Sequence, residues 1–118
     1  MTDYDRWRPE FAKAIDPIYG GIDYLDYLLF GCGVARFWPG ENAAIVTRFS
    51  FYPNCAIIEG LVAAGDLEEI RSILIPAAEQ YGREQGCRFA MIASRNGWAR
   101  ALREDGYEPH QVIIAKEL

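Results

Sequence analysis

The sequence predicts a mixed α/β (α+β) fold in a single domain spanning residues 1–118, with the element order α-α-β-β-β-α-β-α-β. Apolar residues recur at spacings of three and four in the first thirty residues, the period of helices that bury one face. From residue 34 onward, short apolar or alternating runs are separated by Pro-Gly and Pro-Asn turn signals, which is typical of strands. With 118 residues, 51% of them hydrophobic, the chain suffices for one core and is too short for two full domains.

Two helices are predicted at the start of the chain. Trp7, Phe11 and Ile15 fall on one face of the first helix. Pro17 ends this helix because the residue before a proline is pushed out of the α region. A Gly-Gly pair then forms the turn into the second helix, which ends at the Gly-Cys-Gly sequence of residues 31–33.

An antiparallel meander of three strands is predicted next, at residues 34–38, 43–52 and 55–62. The turn residues between these runs suit hairpin connections. Apolar and polar residues alternate along the second run, which gives that strand one wetter face.

The second half of the chain alternates between helices and strands. A helix of about five turns is predicted from Asp66, which with Glu69 forms a variant of the capping box. Pro76 is expected to kink this helix and Gly86 to end it. A buried strand at 88–93, a helix at 96–105 and a last strand at 111–117 complete the order, and they make the sheet a mixed one.

Composition excludes several classes of protein. Twelve basic against seventeen acidic residues give a net charge of −5, so neither nucleic acid nor an anionic membrane surface is an expected partner. No apolar run is long enough to span a bilayer, and the first residues do not form a secretory signal, so we expect a cytoplasmic location. The chain has one histidine and three widely spaced cysteines, so no metal site is expected and three buried thiols are predicted.

Short motifs resemble a known family. Residues 94–107, which read SRNGWARALREDGY, resemble the short helix and Gly-aromatic ending that precede the last strands in the GNAT superfamily of acetyl-CoA-dependent N-acetyltransferases. The predicted order of elements agrees with the GNAT-like fold. Six further segments resemble small GNAT-like proteins encoded by phages and prophages: Leu29-Phe30-Gly31, Arg36-Phe37-Trp38, Ala44-Ile45-Val46-Thr47, Ala63-Ala64-Gly65-Asp66-Leu67, Gly97-Trp98 and Lys116-Glu117-Leu118.

The resemblance implies a site for acetyl-CoA between the third and fourth strands. Pantetheine would lie along the third strand, and the diphosphate would lie on the loop and helix N-terminus that follow, where free N–H groups suit an anion. The resemblance assigns these residues to the cofactor site: Leu61, Val62, Ala63, Ala64, Gly65, Asp66 and Leu67.

The predicted diphosphate loop departs from the family pattern. GNAT enzymes usually carry Arg/Gln-x-x-Gly-x-Gly/Ala there, whereas this chain has one glycine and no basic residue. Asp66, Glu68 and Glu69 add three carboxylates to the first turn of the helix. One like-charge pair about 5 Å apart costs roughly 3 kcal/mol at an effective dielectric of about 20, which Arg71 offsets only in part. We therefore expect weak or absent binding of acetyl-CoA.

Glu59 is the candidate general base that the resemblance implies. The family commonly uses a glutamate on this strand, and burial would raise its pKa toward a useful range. Alternatively, Glu59 lies on a solvated face or pairs with Arg48 across the hairpin. The tyrosine that often serves as general acid in the family is missing, since its position falls at Leu102 or Arg103.

One basic surface is predicted near the last helix, formed by Arg95, Arg100 and Arg103. It could bind a phosphate, an acidic partner or a single strand of nucleic acid. Alternatively, it is the solvated exterior of a helix whose Trp98 is buried.

Two functions follow. The first is a non-catalytic or atypical interaction or assembly protein associated with a phage or prophage, with a protein partner such as a phage structural component and a place beside the virion. The alternative is an acetyl-CoA-dependent N-acetyltransferase, in which Glu59 accepts a proton from an amine and the N–H groups near Leu61 and Val62 polarise the thioester.

Overall fold

A computed structural model of the chain describes residues 2–94 and 96–118. The helical elements are α1 (Asp3–Ala14), a 3-10 turn (Pro17–Tyr19), α2 (Ile22–Asp26) with a π-helical extension (Tyr27–Gly31), α3 (Leu67–Glu69), a π-helical segment (Ile70–Leu74), α4 (Ile75–Glu84), α5 (Asn96–Ala101) and a 3-10 turn (Arg103–Asp105). The strands are β1 (Ala35–Pro39), β2 (Ala43–Tyr52), β3 (Cys55–Gly65) and β4 (Cys87–Ile92). No helix in the described ranges is both long enough and apolar enough to cross a membrane.

The four strands form one mixed sheet in the order β1-β2-β3-β4. The first three are antiparallel and β4 is parallel to β3, as expected when a helix connects two neighbouring strands. The predicted meander and mixed sheet are thus confirmed. β3 is three residues longer than predicted, because Ala43 at the start of β2 pairs with Gly65.

Helices cover both faces of the sheet. Successive residues of β2 point to opposite faces, so Ala44 and Val46 pack with α1 and α2, whereas Ala43 and Ile45 pack with α4 and the segment before it. The expected wetter face is therefore restricted to the second half of β2, since residues 43–47 are all buried.

The long helix after β3 contains the predicted irregularity at Pro76. This proline lies in the first turn of α4 and cannot donate an N–H to the preceding turn, and a π-helical stretch comes directly before α4. Gly86, with φ +84°, follows the helix end as predicted.

Two predictions about local structure are wrong. Residues 107–118 contain no strand, although one was predicted at 111–117, because β propensity yields a strand only where the backbone finds a pairing partner. Cys32 is exposed and Cys55 and Cys87 are only partly buried, because they lie at the end of a helix and at the starts of strands rather than inside the core.

Candidate functional site

β3 has two halves with different surroundings. From Ala56 to Gly60 it lies between β2 and β4, but its pairing with β4 ends where Gly60 faces Ile92. Residues 62–65 are paired with β2 alone. Among the described residues, the backbone of this second half therefore has one edge without a neighbouring strand. The family resemblance implies the pantetheine along residues 55–62 and the diphosphate at residues 63–67.

Leu61 is a β-bulge at the boundary between the halves. Val46 faces Val62 and Thr47 faces Gly60, so Leu61 has no partner on β2. A bulge bends a strand and redirects its backbone groups. No sequence feature predicts this bulge, since Leu61 continues the apolar run of the strand.

The side chains of the second half are already used in packing. Leu61, Val62 and Ala64 pack with the α1–α2 cluster, and Ala63 packs on the opposite face. These side chains are partly buried, and the exposed strand edge adds backbone groups that a ligand could contact.

The loop that ends β3 is held tightly against the turn between β1 and β2. Gly65 has φ +96°, and a Cβ there would collide with the Asn42 carbonyl oxygen, lie 2.6 Å from the Ala43 Cα and 2.9 Å from the Trp7 ring. The Asp66 N–H donates to the same Asn42 oxygen at 2.9 Å. Glycine is therefore required by packing within the chain.

The carboxylates after this loop accept from one N–H of the helix and from one N–H of the adjacent turn. Asp66 Oδ2 accepts from the Glu69 N–H at 3.0 Å, as the predicted cap requires. Glu69 does not reach back to Asp66, so the second half of the predicted capping box is wrong. Its carboxylate instead accepts from the Asn42 N–H, with the shorter distance 2.9 Å, because the turn between β1 and β2 lies beside it.

Arg71, the basic residue of this helical segment, forms ion pairs with carboxylates of the chain. Its Nε lies 2.9 Å from Asp105 Oδ2, and its other nitrogens lie 3.6 Å from Glu104 and 4.0 Å from Glu68. The hydrogen bond to Asp105, with the charge of that carboxylate, raises the pKa of Arg71. Its charge is balanced before any diphosphate arrives, so the residues present do not fit that group.

Glu59 lies in the first half of β3, within a polar cluster. It faces Arg48 across the strand pair, with Arg48 Nε 3.6 Å from its Oε2, and the Ser50 hydroxyl donates to its Oε1. Arg48 Nη1 also donates to the Tyr24 hydroxyl at 3.1 Å. The side chain of Glu59 is 25% exposed. The structure therefore contains the cross-strand pair with Arg48 that was the alternative to a catalytic role.

Arg48 depends on this cluster for its charge balance. Burial acts to lower its pKa, but the hydrogen bond to Tyr24 and the charge of Glu59 outweigh that effect, and the pKa is raised. Its Nε is buried without a hydrogen-bond partner within the described residues. The sequence identified Arg48 and Glu59 as a pair, but it did not indicate the roles of Ser50 and Tyr24.

The predicted basic surface is only partly described. Arg95 lies outside the described residues, whereas Arg100 and Arg103 are exposed. Trp98 of α5 is partly buried against the core beneath them. Glu104 and Asp105 follow Arg103 directly, so the exterior of this region carries both signs of charge.

Tyr107 is packed against the core rather than presented to a substrate. Its hydroxyl donates to Glu79 Oε2 at 2.6 Å. Burial, followed by the hydrogen bond to Glu79, raises the pKa of Tyr107, so the phenol keeps its proton. His110 is exposed in the segment without regular structure.

Aromatic side chains are exposed near the second helix. Tyr27 is 58% exposed and Phe30 is 68% exposed, and Tyr19 is exposed while its ring stacks on Tyr24. We call Tyr19, Tyr27 and Phe30 the exposed aromatics; three further exposed rings, Phe51, Tyr52 and Phe89, lie on strands β2 and β4. Tyr4 is instead buried, and its hydroxyl donates to Asp26.

Comparisons with known proteins give one structural likeness. No protein-family model matches the chain, and no curated protein matches it. A crystal structure of an acetyltransferase from Trypanosoma brucei matches with a TM-score of 0.48 and 16% sequence identity over 64% of this chain. The chain spans 57% of the length of that acetyltransferase, and a likeness of this degree establishes no family for it.

Proposed function

We propose that the chain is a non-catalytic interaction or assembly protein with a GNAT-like fold, in which the site for the CoA diphosphate has been lost. The observation that carries the proposal is the helix start after β3. Asp66 caps the Glu69 N–H, Glu69 is bound to the β1–β2 turn, and Arg71 is neutralised by Asp105. A loop that binds a diphosphate offers free N–H groups and a cation. In this chain the diphosphate would instead lie beside carboxylates, which repel it.

The exposed aromatics support an interaction role. Large rings on a surface expose apolar area to water, and binding of a partner would bury that area. Aromatic residues are enriched where proteins bind each other. Tyr27 and Phe30 lie on one π-helical extension, and Tyr19 lies on the turn before α2. We propose a protein partner for this region; the resemblance to phage and prophage proteins points to a phage structural component, and to a place in the cytoplasm or on the virion.

An assay for acyl transfer tests the proposal. Release of free CoA from acetyl-CoA is measured over a panel of primary amines, with the wild-type chain and Glu59→Gln. We expect the two to give the same rate as buffer. Amine-dependent release that Glu59→Gln abolishes would refute a non-catalytic role.

The second candidate function is an acetyl-CoA-dependent N-acetyltransferase, and one observation favours it. The bulge at Leu61 and the unpaired edge of residues 61–65 leave backbone groups available two residues beyond Glu59. In that function Glu59 would accept the proton of the amine. The hydrogen bond from Ser50 and the ion pair with Arg48 oppose this role, because both engage the carboxylate within the chain.

A further inference from the structure

We propose that residues 111–117 add as a strand to the open edge of β4 in a second copy of this chain, and that the second copy returns the same contact. This inference is independent of the proposed function.

The segment 111–117 has the composition of a strand without a partner. It reads QVIIAKE, and three successive β-branched residues lie at its centre. Val112 is 88% exposed, Ile114 is 91% exposed, and Ile113 is also largely exposed. Apolar side chains on both sides of an extended segment are expected to be covered in the stable form of the protein.

β4 supplies a matching surface. It is the last strand of the sheet, so the backbone groups along its outer edge have no strand partner among the described residues. It has six residues, about the length of the segment, and Phe89 on it is exposed. Open edges of this kind are the usual sites for pairing with another chain.

The direction of the chain favours a second copy over the same copy. Tyr107, just before the segment, bonds to Glu79, and Glu79 shares a cavity of about 120 Å³ with Cys87, Arg88 and Phe89. Tyr107 thus lies on the side of the molecule where β4 begins, and a segment that continued from there along its own β4 would run parallel to it. In a symmetric pair with the two β4 edges facing each other, it runs antiparallel to the β4 of the other copy, which is the more stable pairing.

Symmetry makes the exchange complete. Each copy contributes one β4 edge and one unpaired segment, so a twofold pair closes both β4 edges and covers both segments with the same contact. Pro109 precedes the segment, and it holds Glu108 in an extended conformation suited to leaving the domain.

The test is the mass of the full chain by size-exclusion chromatography with light scattering. We expect twice the 13.4 kDa of one chain for the wild type. Ile113→Lys combined with Ile114→Lys places a cation on each face of the segment and is expected to give the monomer mass. Ile73→Lys, at an exposed isoleucine of the helical segment after α3, is the matched control and is expected to stay dimeric.

Mixing two variants separates exchange from other modes of dimerisation. Phe89→Lys, which blocks the edge, and the Ile113/Ile114 double variant are each expected to be monomers. Mixed together they retain one intact edge and one intact segment, so a heterodimer is expected.

Hydrogen exchange at residues 111–117 provides a second readout. In the dimer these amides are expected to be protected, and in the double variant they are expected to exchange freely. A wild-type monomer, with these amides either free or protected by the chain's own β4, would overturn the proposal. A double variant that remains dimeric would also overturn it.

Discussion

The two halves of β3 differ in what surrounds them and therefore in what they can do. The first half carries Glu59 and lies between two strands, where the chain itself supplies a partner for the carboxylate in Arg48 and Ser50. Among the described residues the second half has one edge without a strand partner, but it leads into a loop where Asp66 caps the Glu69 N–H and Glu69 accepts from the Asn42 N–H. The candidate base Glu59 and the open strand edge are thus adjacent in β3. In both places, carboxylates of the chain are bonded to groups of the chain itself.

In the proposed function, the fold and the binding of a cofactor depend on different features of this region. A strand edge and a bulge at Leu61 are backbone features, and they survive many changes of side chain. Binding of a diphosphate depends on the sign of charge at a helix start, which a few substitutions reverse.

The largest effect is expected at the end of the second half, from Gly65→Ala. The backbone there has a positive φ and the new methyl group would collide with Asn42, so we expect a loss of about 3 kcal/mol in the free energy of unfolding. Urea denaturation measures it. Gly97→Ala is the control, because nothing lies within 4 Å of its added Cβ, and a similar loss in that variant would refute the packing argument.

A smaller effect is expected in the first half, from Glu59→Leu. Arg48 would remain partly buried without its carboxylate, at a cost of about 1–2 kcal/mol after allowing for its exposure to solvent. Glu59→Gln keeps an acceptor for Ser50 and should lose less. Equal urea midpoints for wild type and Glu59→Leu would show that the cluster does not stabilise the fold.

The helix cap in the second half is expected to contribute less still. Asp66→Ala removes the acceptor for the Glu69 N–H and should cost about 1 kcal/mol. Glu68→Ala is the matched change on the same turn, and its exposed pair with Arg71 is expected to contribute less than about 0.5 kcal/mol. If thermal melts rank these two variants in the opposite order, the assignment of the cap is wrong.

The meander, the helix between β3 and β4 and the cap at Asp66 could be predicted from the sequence, because local turn residues and periodicity determine them. The sequence was insufficient for the bulge at Leu61 and for the Glu69 contact with Asn42, which join residues that are distant in the chain. It was also misleading for residues 111–117, where a run of β-branched residues predicts a strand but supplies no partner strand within the chain.

The central claim, that the loop after β3 does not hold a CoA diphosphate, is tested most directly by a thermal melt with and without acetyl-CoA. Acetyl-pantetheine has the same thioester and pantetheine as acetyl-CoA but lacks the diphosphate, so it is the control ligand. We expect acetyl-CoA to leave the Tm unchanged and to stabilise no more than acetyl-pantetheine does. A shift of several degrees with acetyl-CoA alone, of the size that about 2.7 kcal/mol gives when the ligand is at roughly 100 times its Kd, would contradict the claim.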